Sequence, residues 1–415
     1  MVRPPSYYPP PMKIKKLLLD NFRCFDRLEV QLAEKVNLLI GNNGSGKSTI
    51  LDALSIGLGT ISTHLPLVKG ISIKMNDLRH INDQKMPYCR VHSASFNDVE
   101  WDVTRRKDKS AKVSQQIPQS KGLSKLKSYL DANVIDKYNA SLDFEMPLFA
   151  YYGVSRAVLQ PLNKKIIRRK LTRFDSLSGS LGAQSRFHTG FSWFYQKENE
   201  EQRLQKERKS FNVSLKELDV VRTAITTIFP DLTEPEIKMN PLRFTVRKDG
   251  EDFTLDQLSD GYKTMLGLIV DLGSRFATAN PGLKNPLEAD AVVMIDEIDL
   301  HLHPTWQQRV IGDMIRTFPR TQFILTTHSP YIVEALNNHL KKGKIETMGI
   351  NDAEIAKIQP LRQKMVKAFV LEDRQLTSIL DEDLGLIDDK LLHIFNDINR
   401  VYDKMRDFEW ERAND

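Results

Sequence analysis

The chain is poor in cysteine, has no long apolar run and carries no strong excess of either charge. Its 415 residues include two cysteines, Cys24 and Cys89. That excludes a disulfide framework and leaves no C-x-x-C pair for zinc, so both are read as reduced thiols. No apolar stretch reaches membrane-spanning length, and the opening MVRPPSYYPPPM is proline-rich without the apolar centre of a secretion signal. A soluble, cytoplasmic protein with no membrane partner is expected. Lys and Arg number 60 against 54 Asp and Glu, a net charge of +6, which permits a nucleic-acid partner without requiring one. Repeats of solenoid type are absent. Hydrophobic content of 40% and charged content of 27% are ordinary for a globular chain with ample core.

What stands out is a strand-length apolar run, Val36–Ile40, followed by Gly41-Asn42-Asn43-Gly44-Ser45-Gly46-Lys47-Ser48 and Thr49. The octad fits G-x-x-x-x-G-K-[ST], and Ile50, Leu51, Leu54 and Leu58 continue at helical spacing. Glycines let the backbone curl so that successive N–H groups face phosphate oxygens. The helix beginning near Lys47 adds its positive end. Lys47 supplies a mobile cation for the β- and γ-phosphates, and the Ser48 hydroxyl can coordinate Mg²⁺. A glycine turn with a chance lysine is the alternative, and the flanking strand and helix argue against it. The stretch reads as a nucleotide site.

Before this loop, Ile14 to Leu19 and the alternating Leu28, Val30 and Leu32 predict two strands around Asn21-Phe22-Arg23-Cys24-Phe25. Alternation on either side of Asn97-Asp98 and of Lys248-Asp249-Gly250 predicts two hairpins. Pro147 to Tyr152 reads as a buried strand. Residues 196–209 (QKENEEQRLQKERK) are almost wholly polar, and a helix polar all round is expected to project into solvent. Two basic segments, residues 105–112 and 164–173, read either as nucleic-acid contacts or as solvated charged surface. The expected organisation is a flexible lead (1–12), a first lobe of the head (13–159), an inserted helical arm (160–228), a second lobe (229–342) and a helical tail (343–415).

Three downstream elements narrow the chemistry. Ala291-Val292-Val293-Met294-Ile295 is a buried strand ending in Asp296-Glu297, where one carboxylate can hold Mg²⁺ and the next can polarise an attacking water. Gln322 to Thr327 is a second apolar strand ending in His328, at the strand end where ligands of open α/β sheets bind. Leu258-Ser259-Asp260-Gly261-Tyr262-Lys263 precedes a helix with Met265, Leu266, Ile269, Leu272 and Phe276 on one face. A strand merely terminated by acids, or a structural histidine, would be unremarkable alone; the three together with the glycine loop are not.

LSDGY resembles the LSGGQ signature of ABC-type ATPases, and the other motifs stand in that superfamily's order. The resemblance implies an α/β ABC-type P-loop ATPase head, a mostly parallel sheet with antiparallel N-terminal strands, an inserted helical arm and a helical C-terminal tail. It implies ATP and Mg²⁺ as cofactors, and a head-to-tail homodimer or higher assembly with two ATP molecules between subunits. In that arrangement Gly41 to Thr49 hold the phosphates in cis, with Lys47 taking part in catalysis. Ser48 and Asp296 position Mg²⁺, Glu297 is the general base and His328 contacts the γ-phosphate. Ser259 and Gly261 reach the nucleotide of the other subunit, and Asp299, in IDLHLHP, lies in the loop that crosses the interface. His301 and His303 of that loop are expected to pack rather than bind metal.

The branch is narrowed by Asn21-Phe22-Arg23-Cys24-Phe25, by the helical insertion and by the long match from Glu297 to Pro304. These resemble RecF, SMC and OLD ATPases, which makes Arg23 a nucleotide contact. LSDGY, IDEIDLHLHP, FILTTHSP and AYYGVSR together resemble the PtuA-like ATPases of the Septu anti-phage system. The implied function is an ATP-dependent switch in a defence complex controlling a separate nuclease of HNH type. A RecF-like DNA repair or recombination ATPase is the alternative, and a transport or translation subunit a third. A glutamine loop is not identifiable, although Tyr152 to Arg156, with Gln160 beyond, occupy its place. Phe369-Val370-Leu371-Glu372-Asp373 resembles the first acidic strand of a Toprim nuclease, but no later strand with paired aspartates follows, so no nuclease is expected in this chain.

Overall fold

In the computed structural model, the described residues are 12–157, 171–183, 187–346, 352–381, 383–387, 400 and 404–406. The expected flexible lead apart from Met12, which is buried, together with Gln160, the basic stretch up to residue 170 and most of the chain beyond residue 387, lies outside them.

The centre is a six-stranded sheet whose four inner and far-edge strands, residues 36–40, 148–152, 291–295 and 321–327, are short runs buried throughout, as parallel strands covered by helices must be, while its other edge, residues 375–378, is polar and largely exposed. In chain order the elements around it are β1 (Ile14–Phe22), β2 (Phe25–Gln31), β3 (Val36–Ile40), α1 (Lys47–Thr63), β4 (Tyr88–Ser95) and β5 (Glu100–Arg106). Next come β6 (Leu148–Tyr152), α2 (Phe187–Arg208), α3 (Lys216–Ile228), β7 (Leu232–Met239), β8 (Leu242–Lys248) and β9 (Glu251–Thr254). The chain continues through α4 (Asp260–Ala279), β10 (Ala291–Ile295), α5 (Val310–Thr317), β11 (Thr321–Thr327), α6 (Pro330–Ile345), β12 (Val366–Glu372) and β13 (Gln375–Ser378).

The central sheet runs β13-β12-β3-β11-β10-β6, parallel except for β13. A four-stranded antiparallel sheet, β2-β1-β4-β5, contains the first predicted hairpin, and β9-β8-β7 contains the second. Gln322 of β11 joins the first two sheets. Its side chain accepts from Ile14 N at 2.9 Å and donates to the carbonyls of Ile14 and Ala33, each at 2.7 Å. All three groups are buried, so each polar atom needs a partner, and Gln322 satisfies them.

Two expectations are corrected. The tail beyond Gly343 is not helical throughout, because residues 366–372 form β12, a strand of the central sheet paired with β3 from Val366↔Val36 to Val370↔Ile40. Its apolar face is buried there, with Val366, Ala368 and Leu371 fully covered. The polar stretch 196–209 does not simply project into solvent. Glu198 and Glu201 of α2 are buried, because partners come from elsewhere in the chain. Glu198 Oε2 accepts from Ile237 N at 2.9 Å, and both Glu201 oxygens accept from the Arg222 guanidinium at 3.0 Å. Ahead of them, Phe191, Trp193 and Phe194 join the main hydrophobic core.

Candidate active site for phosphate chemistry

The carboxyl ends of β3, β10 and β11 meet at one edge of the central sheet, and the loops leaving them carry the polar residues. The glycine loop turns from β3 into α1. Gly46 has φ of +115°, and a Cβ there would meet the Phe25 ring at 2.8 Å, so only glycine fits. Ser45 Oγ is buried without a hydrogen-bond partner in the structure, a polar atom left for something the loop can cradle.

Lys47 begins α1 and is buried, yet its ammonium is well supplied with acceptors. It donates to Gly41 O at 2.6 Å and Asn42 O at 3.0 Å, and its Nζ lies 3.1 Å from His328 Nε2. Burial lowers its pKa from lysine's ordinary value, and the carboxylates of Asp296, Glu297 and Asp299 oppose that shift. The cation thus faces three carboxylates from the loop after β10.

Ser48 Oγ donates to Asp296 Oδ2 at 2.6 Å. The other Asp296 oxygen accepts from Thr326 Oγ1, also at 2.6 Å. Thr326 Oγ1 in turn accepts Glu297 N–H at 2.7 Å, and Asp296 N–H donates to Tyr152 O at 2.9 Å. Both acidic residues after β10 are therefore fixed by neighbouring strands. A hydroxyl and a carboxylate this close are hard oxygen donors of the type Mg²⁺ takes, while phosphates and water complete its shell. The residues fit that ion.

Glu297 adopts φ of +49°, a left-handed conformation that costs a non-glycine residue about 1 to 2 kcal/mol. Its backbone is held there by the Thr326 contact and by Leu300 N donating to Glu297 O at 2.9 Å. Its Oε1 lies 3.9 Å from His328 Nε2. Strain at a polar, half-buried carboxylate is what a working residue shows when its position matters more than its backbone comfort. Asp299 accepts from Thr327 Oγ1 at 2.5 Å, tying the loop after β10 to the end of β11.

The structure thus brings together Lys47, Ser48, Asp296, Glu297, Asp299 and His328. It places Ser259 and Gly261 at the first turn of α4, where Ser259 is exposed and its side chain makes no capping bond. A Cβ on Gly261 would lie 2.7 Å from His301 O, so the signature turn packs directly on the loop that carries Asp299. Tyr262, next in sequence, sits edge-on to Trp306 at 4.5 Å. Arg23 is engaged by two carboxylates, donating from Nη1 to Asp52 at 2.5 Å and from Nε to Asp77 at 2.9 Å. Sequence reasoning passed over Thr326 and Thr327. Their only signal was position, directly before the strand-end histidine.

Residues 16–228 match the AAA domain family, and residues 155–334 match a family described as AAA domain, putative AbiEii toxin, Type IV TA system. The chain is 29% identical over 377 residues to the retron Vc95 probable ATPase of Vibrio cholerae serotype O1 biovar El Tor, covering 79% of this chain and 72% of that protein. It is 26% identical over 378 residues to the Septu protein PtuA of Bacillus thuringiensis, covering 87% and 83% respectively. Among solved structures, an SMC head bound to the C-winged helix domain of ScpA aligns with 16% identity and a TM-score of 0.45, over 90% of this chain and 99% of that one. Among the described residues no helix is long and apolar enough to cross a membrane.

Proposed function

The chain belongs to the AAA domain family, and from that premise we propose that it is an ABC-type ATPase of the RecF and SMC branch, acting as the dimeric, ATP-driven switch of an anti-phage defence complex whose nuclease is a separate polypeptide. One observation carries the ATP half of this reading. Lys47, Ser48, Asp296, Glu297 and His328, from sequence positions far apart, are linked through contacts of 2.6 to 3.9 Å at the strand ends.

In this reading the loop amides and Lys47 hold the phosphates. Ser48 and Asp296 hold Mg²⁺, which would neutralise phosphate charge. Glu297 takes the proton of the attacking water, and His328 orients against the terminal phosphate. General-base assistance of this kind contributes about 10²- to 10⁴-fold. Ser259 and Gly261 complete the site of a second copy. The exposure of Ser259 at the N-terminus of α4 and its lack of a capping bond support that role, since its hydroxyl is free for a partner. The packing of Gly261 on His301 means that the signature turn and the Asp299 loop would meet such a partner as one unit.

The defence half rests on the similarity to the Septu protein PtuA and the retron ATPase. An HNH nuclease is the partner this reading assigns. The stretch that resembles an acidic nuclease strand, residues 369–373, is occupied in the core sheet through β12, which supports placing the cleavage elsewhere. The test is incubation of the purified chain with phage and plasmid DNA, with Mg²⁺ or Mn²⁺, with and without ATP. No cleavage is expected from the chain alone. Cleavage that is lost in Glu372→Gln but kept in Glu297→Gln would overturn the division of labour.

A further inference from the structure

Ser259 and Gly261 of LSDGY carry roles in the reading above, but its last residue has none: where LSGGQ has glutamine, this chain has Tyr262. The side chain is partly buried and packs against the main core. Its ring stacks on Phe229 with centroids 5.8 Å apart and meets Trp306 edge-on, while Phe229 and Trp306 lie 5.1 Å from each other. The three rings form one joint, at separations and tilts that ring quadrupoles favour. Each comes from a different element. Phe229 follows the last turn of α3, Tyr262 lies in the first turn of α4, and Trp306 sits in the short helix Pro304–Gln307 after the Asp299 loop.

Polar contacts fasten both ends of the joint. The Tyr262 hydroxyl donates to Asp231, in the turn between α3 and β7, and accepts from Lys248 Nζ of β8 at 2.9 Å. The same ammonium lies 4.4 Å from the centre of the tyrosine ring and 3.3 Å from Asp231 Oδ2. A cation over the ring face and a charge-assisted bond at the hydroxyl hold the tyrosine in one orientation. At the other end, the Arg309 guanidinium lies 5.5 Å from the centre of the Trp306 ring and donates to Ile228 O, on the last residue of α3. The signature turn needs such an anchor. Ser259 and Asp260 are exposed, and within the turn Lys263 pairs with Asp260 at 3.2 Å, a surface contact that constrains little.

We propose that Tyr262 is a positioning residue: anchored in this joint, it fixes the signature turn and the Asp299 loop as one face toward the nucleotide of a second copy. The inference rests on the two-copy reading above. Ring and hydroxyl are both engaged within the chain, so Tyr262 acts through Ser259 and Gly261 rather than on the nucleotide. Gly261, packed on His301 O, passes the same constraint to the loop that carries Asp299. A misplacement of about 1 Å in groups that must meet a reacting phosphate costs up to about 100-fold in rate.

The experiment mixes full-length Lys47→Ala and Ser259→Arg chains, whose one productive site pairs the loop of the second with the signature turn of the first. Tyr262→Phe keeps the ring and loses both hydroxyl contacts; it is added to either chain in turn. On the Lys47→Ala chain it should lower turnover of the equimolar mixture about 10- to 100-fold. On the Ser259→Arg chain, whose turn faces a loop without its lysine, it should cost no more than about twofold. Asp231→Ala, at an exposed residue, removes the same tie from its other side and should show the same chain dependence. Combined with Tyr262→Phe it should add little, because the two share one contact. If Tyr262→Phe fails to fold, Asp231→Ala decides by the same readouts. A role in stability alone slows turnover from either chain and lowers the melting temperature with it. Equal losses on both chains, no loss, or losses that multiply in the double variant would overturn the inference while leaving the composite site standing. No recovery in the parent mixture would overturn the two-copy reading, and this inference with it.

Discussion

Thr326 Oγ1 donates to Asp296 Oδ1 at 2.6 Å, joining the carboxyl ends of two neighbouring parallel strands. The same oxygen accepts Glu297 N–H, so one hydroxyl orients both acidic residues of the site. Thr326→Val keeps the shape and removes that oxygen. ATP turnover is expected to fall about 10- to 100-fold, the usual cost of losing a group that orients a metal ligand. ATP affinity should stay within a few-fold. Thr326→Ser, which keeps the hydroxyl, should restore most of the rate. Single-turnover hydrolysis beside equilibrium ATP binding checks this, and equal losses in the two variants would contradict it.

Lys47 and Glu297 should separate binding from chemistry. Lys47→Ala removes a buried cation whose acceptors could be exchanged for phosphate oxygens, and ATP affinity should drop about 100-fold or more. Glu297→Gln keeps size and polarity but cannot take a proton, so ATP should bind almost normally while turnover falls about 10²- to 10⁴-fold. Matching affinity losses in both would remove the assigned roles.

Glu198 makes the stability of the helical arm depend on pH. Burial pushes its carboxyl up to about 7, with Ile237 N–H and Arg222 opposing and Glu236 and Glu201 adding to the shift. An acid held above its unfolded value of about 4.3 is bound more tightly by its proton in the folded state. Its stabilising contribution is complete below that value and is lost as the pH rises toward 7. Glu198→Gln should therefore be more stable than wild type at pH 8, on the order of 1 to 3 kcal/mol, with the gap closing below pH 4.5. Thermal melts of both proteins from pH 4 to 8 measure it. A gap independent of pH would rule out ionisation of Glu198 as its source.

Much of the head was legible because its signals are local. The glycine loop, the Asp296-Glu297 strand end, the strand before His328 and both hairpins each carry their pattern within about ten residues. What escaped notice depends on distant partners. Val366–Glu372 is a short apolar run in a mostly polar region, and nothing local reveals that it pairs with Val36–Ile40, more than three hundred residues earlier. Glu198 and Glu201 look like solvent-facing residues until Ile237 and Arg222 arrive from β7 and α3. Thr326 and Thr327 read as ordinary strand residues, because their work is to hold carboxylates on the loop after β10.

The central claim is that each ATP site is completed by the signature turn of a second copy. Lys47→Ala disables the loop that holds phosphate, and Ser259→Arg places a bulky cation where the second copy would close. Ser259 is exposed, so the substitution should leave the fold intact. Neither variant alone can form a complete site, whereas a mixed dimer contains one intact loop facing one intact signature turn. The decisive measurement is ATP turnover across mixing ratios of the two purified variants. The composite site predicts little activity at either extreme and a maximum near equal amounts, where random pairing makes about half the dimers mixed and each mixed dimer holds one of two sites, so the rate approaches about a quarter of wild type. A flat profile, with no mixture exceeding the better single variant, would contradict it.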